Sequence, residues 1–158
     1  MADCKITGLR SIELGVTDLE RSARFYSEVW GLEQVSSEPD ARYFRANGTE
    51  HHAVCIRQAG QAGLIGVSFA AQDKAAVDAL HAQARAAGVA SLGQPQPLSA
   101  AAGGGYGVTL QGPEGLRVTV SCDVAQSPER DRDPSKPHKL THVVFNSADV
   151  PEQMNFFL

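Results

Sequence analysis

Gly8-Leu9-Arg10-Ser11-Ile12-Glu13-Leu14-Gly15-Val16-Thr17-Asp18 and Gly63-Leu64-Ile65-Gly66-Val67-Ser68-Phe69-Ala70-Ala71-Gln72-Asp73 are two versions of one stretch, 55 residues apart. Each opens on Gly-Leu, runs through an apolar segment and ends on an aspartate. Apolar runs of this length bounded by turn residues read as strands, here Leu9–Val16 and Leu64–Ala71. Each aspartate stands where a helix N-cap should, because its short carboxylate can accept a free N–H of the first turn. Leu19, Ala23, Tyr26 and Trp30 then recur at helical spacing, and Gly31 stops them. Val77, Leu80, Ala84 and Ala87 repeat the stripe, with Gly88 as the stop. Thr17 and Glu20 form an alternative capping box, so the first helix has two candidate starts.

Strand signals follow each helix. In the first unit they are Glu33–Ser37, Ala41–Ala46 and His52–Arg57, with Pro39-Asp40 and Asn47-Gly48 as turns. In the second they are Val89–Leu92, Gly107–Gln111 and Leu116–Cys122, the last entered through the Gly112-Pro113-Glu114-Gly115 turn. Each unit therefore reads β-α-β-β-β. The expected fold class is α+β: tandem βαβββ units forming a curved, partly closed mixed sheet with helices outside. Residues 1–60 and 61–122 are the two units, and Ser91–Gly103, rich in small residues, reads as a mobile loop at a module interface.

The 158 residues suit one ordinary domain, and 42% hydrophobic with 20% charged residues is a globular composition. No apolar run is long enough for a transmembrane helix, and Met1–Lys5 lack the apolar run of a secretory signal. A net charge of −4 and scattered basic residues argue against nucleic acid or an acidic membrane as partner. The three cysteines, Cys4, Cys55 and Cys122, form no CxxC pair and read as free thiols, which points to a cytoplasmic protein. There is no phosphate-binding glycine loop and no nucleophile elbow.

Beyond 122 the character changes. Residues 123–139 hold three prolines, four acids and four bases and read as a polar linker. The unit pattern then restarts: Leu140–Phe145 as a strand, Asp149 as an N-cap paired with Glu152, and Pro151 opening a helix. Residues 140–158 are thus expected to be the first strand and helix of a truncated second module. Their apolar side chains are expected to dock on their own module or on a neighbouring chain, which would make a homo-oligomer.

The chain resembles the vicinal oxygen chelate superfamily, the group of glyoxalases, bleomycin-resistance proteins and extradiol dioxygenases. The resemblance rests on the order of Leu9–Val16, Asp18, Phe25-Tyr26, Tyr43-Phe44-Arg45, Glu50-His51-His52-Ala53-Val54 and Gly112-Pro113-Glu114-Gly115. Lys139-Leu140-Thr141-His142-Val143-Val144-Phe145 is similar to the first strand of the catalytic module in type I extradiol dioxygenases. There the N-terminal module is metal-free, and the matching histidine is the first iron ligand. The resemblance therefore implies His142 as a metal ligand, with a second His and a Glu beyond Leu158. Val144, two residues on, would line the same pocket.

Aligning Asp18, Asp73 and Asp149 puts Ser11, Gly66 and His142 at the equivalent position seven residues earlier. The other ligand position the resemblance implies falls at Thr119 in the second unit and near His52–Val54 in the first. Ser11, Gly66 and Thr119 cannot supply the two imidazoles and one carboxylate of a non-haem iron site, so this chain itself is expected to be metal-free. His51 and His52, as strand neighbours, should point to opposite faces and cannot chelate one ion together. His81 on its Ala-rich helix and His138 in the linker read as surface residues.

The resemblance implies the N-terminal portion of an Fe(II)-dependent extradiol dioxygenase, with Mn(II) as the alternative metal. A small aromatic diol and O₂ would be its substrates, and no catalytic residue is identifiable in this chain, which alone should be inactive. Two other readings stay open: a metal-free small-molecule binding protein of the bleomycin-resistance type, and a glyoxalase-like metal-dependent isomerase or lyase.

Overall fold

The computed structural model describes residues 6–131 and 133–158, so Cys4 lies outside the described residues. In chain order the elements are β1 (Ile6–Val16), α1 (Leu19–Arg24), β2 (Glu33–Glu38), β3 (Ala41–Arg45), β4 (Val54–Gln58), β5 (Gly63–Ala71), α2 (Lys74–Ala86), β6 (Gln96–Pro97), β7 (Tyr106–Gln111), β8 (Arg117–Cys122) and α3 (Val150–Phe157). A π-helical turn, Phe25–Val29, prolongs α1. Among the described residues no helix is long and apolar enough to cross a membrane.

The three aspartates are N-caps. Asp18, Asp73 and Asp149 accept the backbone N–H of Arg21, Ala76 and Glu152 at 2.9, 2.8 and 2.9 Å. Gly31 and Gly88, at φ +67° and +79°, take the left-handed conformation that ends a helix.

The eight strands form one mixed sheet in the order β2-β3-β4-β1-β5-β8-β7-β6. Strands β1 and β4 pair in parallel, as do β5 and β8, and every other pairing is antiparallel. Within the sheet the two units join where β1 runs antiparallel to β5, with Ile12 opposite Val67, Glu13 opposite Gly66 and Ser11 opposite Ser68. Ile12 and Val67 are equivalent in the 55-residue repeat, so a pseudo-two-fold axis passes through this pair. The sheet is open, with β2 and β6 as its edges. A short helical turn, Ala100–Ala102, reaches across from the second unit to β2, where the Ser36 hydroxyl donates to the Ala101 carbonyl.

Strand alternation sorts the side chains. One face carries Ile12, Leu14, Phe44, Val54 and Ile56 against Leu19 and Ala23 of α1. On the other half Val108, Leu110, Val120 and Cys122 pack with Ala76 and Val77 of α2. Between the helices, Val143, Phe145 and Phe156 of the tail cover Val67, Leu116 and Val118 at the seam. Gln153 is buried and donates to the Pro113 carbonyl at 3.3 Å, and Glu114 accepts the Ala148 N–H at 2.7 Å. The tail therefore lies on its own module.

Four expectations need correction. Leu140–Phe145 forms no strand, because it crosses the helix side of the sheet, where side chains rather than an open strand edge meet it. Val89–Leu92 shrinks to a single bridge, Ser91 to Leu110, since Gly93 at φ +104° and Pro95 break the edge before β6 resumes. His81 is 5% exposed, its Nε2 3.2 Å from the Ser91 hydroxyl, so the edge segment folds over the helix face that looked solvated. Strand β4 begins at Val54, not at His52, which releases the two histidines from strand alternation.

Candidate functional site

The opposite face of the sheet is concave and encloses a cavity of about 230 Å³. Ser11 and Glu13 of β1, Cys55 and Arg57 of β4, Gly66 and Ser68 of β5, and Arg117, Thr119 and Ser121 of β8 line it. These alternate with the core residues named above, so each strand contributes to both faces. Register sets Glu13, Gly66 and Arg117 in one row across the seam, and Ser11, Ser68 and Thr119 in the next. A Cβ at Gly66 would stand 2.7 Å from the Arg117 carbonyl, so only glycine lets β5 approach β8 this closely.

Arg57 organises one end. Its Nε donates to Glu13 Oε1 and its Nη1 to both oxygens of Asp40, each at 2.9 Å, with Glu38 at 3.5 Å. Burial alone would lower its pKa, but the Glu13 and Asp40 carboxylates outweigh that and raise it. Arg57 in turn holds the Asp40 carboxyl below its usual range. The Ser99 hydroxyl does the same for Glu38, which also accepts the Tyr43 hydroxyl at 3.0 Å. Burial, reinforced by the Glu13 charge, pushes the Cys55 thiol up to about 12, so it is protonated at neutral pH.

The other end holds the histidines. His51 and His52 do not diverge: their rings stand 87° apart with Nδ1 atoms separated by 3.0 Å, so one ring donates to the other. His52 lines the cavity edge-on to Tyr43, and burial, with the charge of Arg10 adding to it, pushes its pKa down to about 4. Arg10 donates to Glu50 at 2.8 Å.

Ser11 and Gly66, equivalent in the repeat, and Thr119 and His52, from the second position the resemblance implies, thus line one cavity. Only His52 among them carries a metal-binding group. Glu13 is tied to Arg57, Cys55 keeps its proton, and among the described residues no cluster of three or more His, Cys, Asp or Glu could hold an ion. The cup does not fit a resident divalent metal. His142 lies elsewhere, exposed on the tail, its Nδ1 3.1 Å from the Thr141 hydroxyl. Val144 is 86% exposed, and neither residue lines the cup. His138 is half-buried, 3.6 Å from Glu129, and its backbone carbonyl accepts the Gly48 N–H.

Arg10, Arg57 and Arg117 were not among the site residues read from the sequence, although for two of them the signal was there. Alternation from Thr119 to Arg117, and from Cys55 to Arg57, assigns these two to the concave face, whereas Arg10 reaches it only through the register shift between Leu9 and Ser11.

Two βαβββ units meeting edge to edge around a shared cup define the class. Residues 8–120 match the model of the Glyoxalase/Bleomycin resistance protein/Dioxygenase superfamily, and the chain belongs to it. Among solved structures it is similar to the Mn(II)-bound glyoxalase from Novosphingobium aromaticivorans, at 36% identity and a TM-score of 0.89, over 97% of this chain and 52% of that one. It is also similar to homoprotocatechuate 2,3-dioxygenases. A variant from Brevibacterium fuscum matches at 22% identity and the Arthrobacter globiformis protein at 23%, each with a TM-score of 0.82 over 97% of this chain, covering 44% and 49% of theirs. At such identity these two show the fold alone. The chain spans about half the length of these structures. No curated protein matches it.

Proposed function

We propose that the chain is the N-terminal portion of a metal-dependent extradiol dioxygenase, a protein that opens a catechol-type ring with O₂. In this reading residues 1–122 are a metal-free module, 123–139 a linker and 140–158 the opening of the catalytic module. One observation carries it. The likeness to longer structures takes in 97% of the chain, the His142 tail included, while among the described residues the cup offers no ligand set.

His142 is proposed as the first metal ligand, with two more supplied from beyond Leu158. It fits that part as an exposed imidazole with no carboxylate partner among the described residues. Val144, exposed beside it, is proposed as a pocket wall that the remainder of the protein covers. Bound Fe(II), or Mn(II), would supply a template for the two ring oxygens and O₂. The chain's own part is to present His142 on a tail held by Glu114, Gln153 and the apolar seam.

The 36% identity to a Mn(II)-bound glyoxalase supports a second reading, a metal-dependent isomerase or lyase with the same ligand frame. The test is the whole gene product, purified with its metal counted by plasma mass spectrometry. O₂ uptake with catechols, and its loss in His142→Ala, is the expected result. Metal-dependent conversion of a hemithioacetal without O₂ uptake would install the second reading. A protein that holds no metal and turns over neither substrate would overturn both.

A further inference from the structure

The helix after β1 presents an apolar face that no described residue covers. Leu19 and Ala23 turn inward, and Tyr26 leads outward from the buried Phe44, the two ring centroids 5.9 Å apart. The opposite side carries Arg21, Arg24, Phe25, Glu28 and Val29, all exposed. The π-helical turn widens this side. In it the Trp30 N–H donates to the Phe25 carbonyl, five residues back, and the indole comes to 6.5 Å from the Phe25 ring. Phe25, Val29 and Trp30 are 46%, 70% and 48% exposed. Together they show water on the order of 350 Å² of mostly apolar surface, the size of patch that on a monomer is often functional.

The charges on that face run against the helix that carries them. Over the continuous stretch 19–29, Arg21 stands in the first turn and Glu28 in the last. The helix dipole favours the reverse, acids at the start and bases at the end. Arg24 and Glu28 are also spaced four apart in the weaker of the two orders. Glu20 is held by Arg42 at 2.7 Å, but Arg21, Arg24 and Glu28 have no ion pair among the described residues. A second helix of the same sequence, laid antiparallel, reverses this. Its Glu28 meets Arg21, its Arg21 meets Glu28, and the two dipoles oppose. A face with a base at one end, an acid at the other and aromatic surface between is complementary to itself under a two-fold rotation.

We propose that this face is an interface between two copies of the chain. The helices 19–29 lie antiparallel about a two-fold axis beside Phe25, with Phe25 and Val29 on their counterparts and Arg21 against the partner's Glu28. Arg24 falls on opposite flanks of the axis in the two copies, so the like charges stay apart. Trp30 closes the rim, and aromatic residues and arginine are the types that carry such contacts. Two copies would remove roughly 700 Å² of apolar surface, and the charged rim brings the total to about 1,000 Å². That is the low end for a specific interface, so the affinity expected is micromolar. The contact uses neither the cup nor the His142 tail.

The test is sedimentation equilibrium of the full 158-residue chain from low to high micromolar concentration, read beside the fluorescence of Trp30, its only tryptophan. A monomer–dimer equilibrium is expected, with Trp30 emission moving to the blue as the dimer forms and the dimer weakening with added salt. Arg21→Glu or Glu28→Arg alone should weaken it at least about tenfold. The two reversals together restore opposite charges across the axis and should return the affinity to within about threefold of the wild type. Phe25→Ser should weaken it about a hundredfold. All three side chains are exposed, so the circular dichroism of the variants should match the wild type.

A chain that stays monomeric across that range overturns the proposal. So does a dimer indifferent to Phe25→Ser and to Arg21→Glu, which would put the contact on another face, such as the tail. A double reversal that recovers nothing of what the single ones lose overturns it as well. Because the measurement uses neither O₂ nor metal, its failure leaves the dioxygenase reading untouched, and loss of that reading leaves this interface as it is.

Discussion

Lowering the pH should destabilise the protein most through His52, and His52→Gln should remove that part, leaving the smaller effect of half-buried His51 in both proteins. Inside the folded cup the His52 pKa is pushed down to about 4, by burial first and then by His51 and Arg10. In the unfolded chain it returns to about 6.5. Between those values the unfolded chain takes up a proton that the folded protein refuses. The stability gained from a neutral ring is therefore complete above about pH 6.5 and is lost as the pH falls toward 4. The whole difference is worth about 3 kcal/mol, of which about 2 kcal/mol should disappear between pH 7.5 and pH 5. Urea unfolding of both proteins at the two pH values measures it. The depressed carboxylates Asp40, Glu38 and Glu114 also lose their contribution as pH falls, at lower pH and equally in both proteins, so they cancel in the comparison. The wild type should lose about 2 kcal/mol more than the variant. Parallel pH profiles would refute the assignment of a buried, neutral imidazole.

Three further outcomes are expected. Asp73→Ala removes the carboxylate that accepts the Ala76 N–H at 2.8 Å, and calorimetry should show Tm lower by about 2–4 °C for the loss of about 1 kcal/mol. Phe44→Ala empties a site with 0% exposure in the first-unit core, at about 3–5 kcal/mol, and chemical denaturation should show the midpoint falling with no change in slope. Glu114→Asn keeps a residue tolerant of φ 56° but no longer reaches the Ala148 N–H. Hydrogen exchange over 150–157 should quicken several-fold while Tm moves by less than about 2 °C, because local opening is separable from the global transition.

What the sequence announced most clearly were the local signals. An aspartate before an apolar helical stripe caps a helix through its own side chain, and Asp18, Asp73 and Asp149 needed no tertiary help to be read. The repeat carried further, because residues 55 apart must occupy equivalent places, which made Ser11 and Gly66 counterparts on the two central strands. Where local preference met a tertiary contest, it lost. Val143, Val144 and Phe145 have strand propensity, but both edges of the sheet lie away from their path. His81 looked solvated because the segment that buries it is irregular and has no periodicity to read. His51 and His52 look like strand neighbours, yet β4 starts two residues later and their rings meet. The arginines of the cup were invisible for a different reason: a charge counts as surface until the partners that neutralise it are known, and those of Arg57 come from β1, β2 and the turn after it.

The axis through Ile12 and Val67 also bears on how many molecules make up one folded unit. Equivalent strands face each other there, so a chain that met a second copy could trade its whole latter half and rebuild the same central ladder twice over. Every sheet hydrogen bond would survive the exchange. Only the path of residues 59–62, between β4 and β5, would differ, so four residues decide whether the molecule closes on itself or on its twin.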